Sequence, residues 1–309
     1  MEPIVLVHGG AGDIPDCNVE AKIVGVKKSA KIGYEVLKNG GSVLDAVEAA
    51  VKSMEDDEAF NAGFGSVLNL DGEVEMDASI MLGETLMSGG VTIVRDIEHP
   101  ISLARLVMEK TPHFTLAGAG ANKFATEQGV PTVPPGSLVT KSAQQALDQF
   151  KKTGYVRTEI GEKNTGEVGT VGAVAIDSQG RLAAGTSTGG LNGKMVGRSS
   201  DTSVIGSGTY ADDDLGAVST TGHGETIARF CLAHTIIKSM ESGRNAEQAT
   251  HESLCKMKAR LNNSAGAITL SKTGEVGIGF NSNRMAWAYQ KGDEIHFGID
   301  PNEKHVEKV

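Results

Sequence analysis

Ile4 to Val7 is a short, continuous apolar run that ends in His8-Gly9-Gly10-Ala11-Gly12, which predicts a buried strand running into a turn. Two helical patterns come next. Val24, Val26, Ala30, Ile32, Val36 and Leu37 recur with helical spacing between Val19 and Lys38 and stop at Gly40-Gly41. Ser42 is placed to cap a second helix carrying Val43, Leu44, Ala46, Val47, Ala50 and Val51, which ends in the acidic run Glu55 to Glu58, expected to be solvated. Asp71-Gly72 then separates Val67-Leu68-Asn69 from the alternating Val74, Met76, Ala78 and Ile80, a hairpin signal. Pro100 opens a helix through Met108, and further helices are predicted over Ala121 to Glu127 and Ser142 to Lys152.

The polar stretch Arg157 to Val168 reads as an exposed linker. Directly after it, Thr170 to Asp177 and Leu182 to Thr188 read as two strands joined by Ser178-Gln179-Gly180, and strand pairs return around Lys272-Thr273-Gly274 and Lys291-Gly292-Asp293. Glu225 to Met240 and Ala246 to Leu261 have helical spacing. Strands and amphipathic helices in separate runs predict an α+β body of helices layered on mostly antiparallel sheets.

Composition narrows the function. The 309 residues include 40 glycines without a collagen period, and the formal net charge of −10 disfavours nucleic acid and anionic membranes as partners, leaving small-molecule chemistry. The first residues carry no basic segment ahead of an apolar run of signal length, so a cytoplasmic chain is expected. Cys17, Cys231 and Cys255 support neither a disulfide framework nor a zinc site, and the histidines show no metal-ligand spacing.

Gly185-Thr186-Ser187-Thr188-Gly189 fits the serine-hydrolase elbow, but the elbow needs a helix after its serine and a glycine-rich segment stands there instead. His8 to Gly12 fits no phosphate-loop spacing, and a lone His8 reads as structural. Gly169-Thr170 is different in kind. A threonine freed at its own α-amine carries a base with a pKa of about 8 beside its hydroxyl, and here a polar linker precedes the bond and an apolar strand succeeds it. Gly-Thr before a strand is also an ordinary structural pattern.

Gly169-Thr170-Val171-Gly172-Ala173-Val174-Ala175, Ala184 to Gly190, Gly197-Arg198 and Ser219-Thr220-Thr221-Gly222-His223-Gly224-Glu225 together resemble the plant-type L-asparaginase/isoaspartyl peptidase family of N-terminal-nucleophile hydrolases. The likeness also takes in His8 to Gly12, Phe60 to Gly65, Met76-Asp77-Ala78 and Phe297 to Asp300. It implies one four-layer αββα domain over residues 1–309, cut by itself between Gly169 and Thr170 into an α subunit, 1–169, and a β subunit, 170–309. The expected activity is hydrolysis of L-asparagine and β-aspartyl dipeptides through a covalent β-aspartyl ester on Thr170.

In that resemblance Thr188 orients Thr170, and Thr221 with Gly222 forms the oxyanion hole. Arg198 clamps the substrate α-carboxylate, Asp201 and Gly224 hold its α-ammonium, and Asn61 supports the nucleophile. The backbone around Met54, Glu55, Asp57, Phe60, Ala62 and Phe64 would hold a structural sodium ion, with no catalytic cofactor. A homodimer of αβ units is implied. Ser200 stands where many relatives have glycine, which predicts strain or a shifted loop if that position needs positive φ. Two other readings remain: a glycosylasparaginase-like amidase, disfavoured by the lack of a signal segment and of paired cysteines, and an uncleaved, non-catalytic binder of acidic amino acids.

Overall fold

The computed structural model describes residues 1–153 and 169–309, so the predicted linker over 157–168 lies outside the described residues. The first half carries β1 (Ile4–Gly12), α1 (Asp16–Lys38), α2 (Val43–Glu55), β2 (Met76–Leu82), β3 (Ser88–Val94), α3 (Pro100–Lys110), β4 (Thr115–Ala117), α4 (Gly118–Glu127) and α5 (Lys141–Thr153). After the linker come β5 (Val171–Ile176), β6 (Leu182–Thr188), β7 (Thr209–Asp212) and β8 (Gly216–Gly222), then α6 (Gly224–Phe230), α7 (Leu232–Glu241) and α8 (Ala246–Leu261). The chain closes with β9 (Ala265–Ser271), β10 (Val276–Phe280), β11 (Arg284–Lys291), β12 (Glu294–Gly298) and β13 (His305–Lys308).

Two sheets stack face to face. The larger runs β13-β12-β11-β1-β5-β6-β2-β3-β4 and the smaller β10-β9-β8-β7. Neighbouring strands are antiparallel except β3 and β4. Period-two alternation distributes the side chains: Val5 and Val7 of β1, with Val171, Ala173 and Ala175 of β5, pack under α1 to α3. Their neighbours Ile4, Leu6, Val174 and Ile176 meet Ala217, Ile268 and Leu270 of the small sheet. On its outer face Val218, Ala265 and Ala267 pack against Ile236, Leu254 and Met257 of α7 and α8. The layers are therefore α, β, β, α, a four-layer α+β sandwich.

Local chemistry sets the element ends. Ser42 Oγ accepts the Asp45 N–H while Asp45 Oδ2 accepts the Ser42 N–H, a reciprocal cap that starts α2. Asn245 and Gln248 do the same for α8. The turns at Gly180, Gly274 and Gly292 lie where the glycine signals predicted, each with positive φ.

Four expectations change. His8 to Gly12 is not a turn: β1 continues through it beside β11, with a register shift between His8 and Ala11. Val67–Asn69 is not a strand, because Asn69 Oδ1 accepts the N–H groups of Asp71 and Glu73 and closes a local turn. Both edges of β2 are already occupied, by β3 and β6. The Glu225 to Met240 helix breaks at Cys231, whose φ is 50° and ψ 53°. Glu55 is buried instead of solvated, accepting Ser187 Oγ at 2.6 Å and the Ile101 N–H at 3.1 Å. Among the described residues no helix is long and apolar enough to cross a membrane.

Candidate active site

Thr170 immediately precedes β5, in the middle of the large sheet between β1 and β6, and only 7% of its surface is exposed. Its hydroxyl donates to Thr188 Oγ1 at the end of β6 across 3.1 Å, and Thr188 Oγ1 also accepts the Gly190 N–H at 3.0 Å. From the small sheet, the end of β8 delivers Thr221, whose Oγ1 accepts the N–H of Thr170 at 3.3 Å and that of Ala11 at 3.1 Å. With two donors already on each oxygen, the hydroxyl protons of Thr188 and Thr221 are left to point at other acceptors. Gly222, with φ 133°, comes so close to β9 that an added Cβ would lie 2.7 Å from Ala265 Cα.

Gly169 and Gly10 meet backbone to backbone. A Cβ on Gly10 would fall 2.3 Å from Gly169 Cα, and one on Gly169 would fall 2.7 Å from Gly10 Cα. Close approach, then, is what excludes a side chain at both Gly10 and Gly169.

Asn61 clamps the segment after β6: its Nδ2 donates to Gly190 O at 2.8 Å, its backbone O accepts Gly189 N at 3.0 Å, and its Oδ1 accepts Val67 N at 3.0 Å. Ser187 sits on the opposite face of β6 from Thr188, hydrogen-bonded to Glu55 under the helices, and no helix comes directly after β6, so the serine elbow is absent. His8 Nε2 pairs with Ser219 Oγ at 2.8 Å, and burial, partly offset by the Thr170 backbone, pushes its pKa down to about 3. The ring is neutral at working pH.

The charged residues gather beside this cluster. A Cβ on Gly224 would lie 2.7 Å from Arg198 Nη2 and 2.7 Å from Asp201 Oδ1, so this glycine sits between the two. Asp201 opens a short 3-10 turn, is 4% exposed, and is pushed up to about 7 by burial against the opposing pull of Arg198. Ser200 does not bring the anticipated strain: its φ is −93° and ψ 176°, and its Oγ caps the turn by accepting the Thr202 N–H. The positive φ of this loop falls on Gly197 instead.

Arg198 Nε and Nη2 each donate to one Glu225 oxygen at 2.9 Å. Burial pushes the Glu225 carboxyl up, but these bonds more than reverse it and hold it below the usual range. Sequence reasoning assigned Glu225 no role. Its position one residue after Gly224, at the start of α6, was the available signal.

In the loop after α2, carbonyls turn toward the glycines. A Cβ on Gly65 would lie 2.0 Å from Phe60 O and 2.9 Å from Glu58 O, and one on Gly63 2.3 Å from Glu55 O. Among the described residues no group of three or more His, Cys, Asp or Glu side chains could hold a metal ion.

The sequence profile of the asparaginase family matches residues 1–299. The isoaspartyl peptidase/L-asparaginase of Homo sapiens is 50% identical over 308 residues, covering 99% of both chains, as is that of Macaca fascicularis. The Bos taurus protein of the same name is 49% identical over 301 residues, 97% of each chain. With its αββα layers and a threonine at the head of a central strand, the chain belongs to the asparaginase family of N-terminal-nucleophile hydrolases.

Proposed function

We propose that the chain is an autoprocessing amidohydrolase that converts L-asparagine to L-aspartate and ammonia and cleaves β-aspartyl dipeptides. The observation that carries this reading is Thr170, its hydroxyl 3.1 Å from Thr188 and its N–H on the Thr221 hydroxyl. In processing, Thr170 Oγ1 attacks the Gly169 carbonyl carbon, the C–N bond breaks, and the hydroxyl proton ends on the departing nitrogen. That step frees the Thr170 α-amine; water then hydrolyses the ester, releasing the Thr170 hydroxyl and the Gly169 carboxylate and leaving chains 1–169 and 170–309 in one domain.

In turnover the α-amine takes the hydroxyl proton while Oγ1 attacks the side-chain amide or isopeptide carbon. The negative charge that develops on the carbonyl oxygen is met by the Thr221 hydroxyl and the Gly222 N–H. Ammonia or the amine leaves with a proton, and water releases aspartate from the β-aspartyl ester. Asp201 with the Gly224 backbone holds the α-ammonium. Arg198 takes the α-carboxylate in exchange for Glu225, so that Glu225 acts as its internal stand-in.

Glu55 O and Phe60 O lie close to Gly63 and Gly65 in this loop, and backbone oxygens alone suit a hard cation. The carbonyls of Met54, Glu55, Asp57, Phe60, Ala62 and Phe64 would hold a sodium ion, whose contribution is to stiffen the loop that carries Asn61. Three free, exposed cysteines suit a reducing, cytoplasmic setting, and the family supports a homodimer of αβ units.

Denaturing electrophoresis with N-terminal sequencing tests the reading. Two fragments, one beginning at Thr170, are expected together with L-asparagine hydrolysis. Thr170→Ala remains one inactive chain, and normal turnover by that variant refutes the mechanism.

A further inference from the structure

Lys194 lies 5% exposed behind the Thr188 turn, and its Nζ donates to Gly189 O at 2.8 Å and to Glu75 O. Both hydrogen bonds go to carbonyls instead of a carboxylate. A buried ammonium is costly, so its placement against two neutral oxygens calls for a reason. Gly189 O belongs to the same peptide unit as the Gly190 N–H, which donates to Thr188 Oγ1 at 3.0 Å. One planar peptide therefore carries the Lys194 ammonium on its oxygen and the Thr188 hydroxyl on its hydrogen. A cation on the oxygen polarises the peptide and strengthens donation from its N–H.

The turn has no slack. Asn61 holds Gly189 N and Gly190 O from one side. On the other, a Cβ on Gly190 would lie 3.0 Å from Lys194 Nζ and 3.1 Å from Arg198 Nη1, so on that side two cations abut the turn.

We propose that Lys194 is a positioning residue for the reaction: through the Gly189–Gly190 peptide it fixes the orientation in which Thr188 receives the Thr170 hydroxyl. The proposal rests on the reading of Thr170 as nucleophile. Lys194 touches no reacting atom and acts only through that peptide. Burial brings its pKa down to about 8, with Asp77 and Glu75 pulling upward and Arg198 and Arg95 reinforcing the fall. The ammonium is accordingly lost just above neutrality, and turnover declines on the alkaline side.

The test uses processed wild-type, Lys194→Met and Lys194→Arg proteins, with kcat and KM for L-asparagine measured from about pH 6 to about pH 10. Lys194→Met is expected to lower kcat about 30-fold or more with KM within about threefold of wild type. Lys194→Arg, whose guanidinium does not titrate in this range, retains kcat within about tenfold near neutrality and loses the alkaline decline. If Lys194→Met does not fold, the Lys194→Arg pH profile decides alone. Wild-type turnover with kcat unchanged in Lys194→Met, a rise in KM alone, or an alkaline decline identical in Lys194→Arg overturns the role of Lys194 and leaves Thr170 standing. A wild-type protein without turnover overturns the reading of Thr170 and this proposal with it.

Discussion

The Thr170 hydroxyl has one side-chain acceptor, Thr188, 3.1 Å away, and that acceptor sits at the end of the adjacent antiparallel strand. Two strands paired through six residues hold the hydroxyls in register without any flexible connection. Thr188→Val keeps the shape and removes the acceptor, leaving the Gly190 N–H unpaired as well. Losing such bonds costs about 1 to 3 kcal/mol, so both processing and kcat should fall about 5- to 150-fold. Time-resolved electrophoresis and steady-state kinetics measure the two effects separately.

As the proposed ammonium partner, Asp201 should give the substrate affinity an acid limb. Its carboxyl, raised to about 7, is neutral below that pH and ionised above it, and only the ionised form attracts an ammonium group. KM for L-asparagine therefore falls as pH rises toward neutrality, by about tenfold per pH unit below the pKa. The linkage to folding runs oppositely: a raised carboxyl favours the folded state at low pH and forfeits that stability as pH climbs through about 7. A KM that stays flat between about pH 5.5 and about pH 7.5 rules Asp201 out as the ammonium partner.

Glu225→Gln tests the stand-in carboxylate. Removing its charge frees Arg198 and should lower KM for L-asparagine about 3- to 10-fold, on the scale of one charge-assisted hydrogen bond. Glu225 also pushes the Asp201 pKa upward, so the acid limb should move to lower pH in the same variant. Kinetics across a pH series read both changes.

His8 affects stability in the acid range. Its folded-state pKa is near 3, whereas an unfolded histidine titrates near 6.5, so the unfolded chain binds the extra proton below that value. Stability then falls by about 1.4 kcal/mol per pH unit below about 6.5 on this account alone. The slope difference between His8→Gln and its parent, measured by urea unfolding in uncleaved Thr170→Ala protein, isolates the effect. Equal slopes in the two proteins contradict it.

Much of the scaffold could be read from the chain. Ser42 announced α2, and Gly180, Gly274 and Gly292 marked three hairpins, because caps and positive-φ turns depend on neighbouring residues. The second strand, Leu182 to Thr188, was legible residue for residue. The Gly9-Gly10 segment misled, since glycine signals a turn where here it admits a neighbouring backbone into a strand. Glu55 looked like a solvated helix end because its partners, Ser187 and Ile101, lie 132 and 46 residues away. Residues gathered by non-local packing, Glu225 with Arg198 and Lys194 with Gly189, have no periodic signature. The Thr170, Thr188 and Thr221 set was found through the family likeness, because the three stand on or beside strands of two different sheets.

The contact between Gly10 and Gly169 has a kinetic consequence once the chain is cut. If the chain is cut as proposed, the new Gly169 carboxylate would start against the Gly10 backbone, beside the freed Thr170 amine. That carboxylate would stay attached to the α chain, and attachment through a linker keeps a chain end at an effective concentration on the order of millimolar. On the proposed cleavage, the first competitive inhibitor the site would meet is the end of its own α chain. Newly cut enzyme should show a lag before full turnover, set by the departure of that tail instead of by the chemistry of the cut.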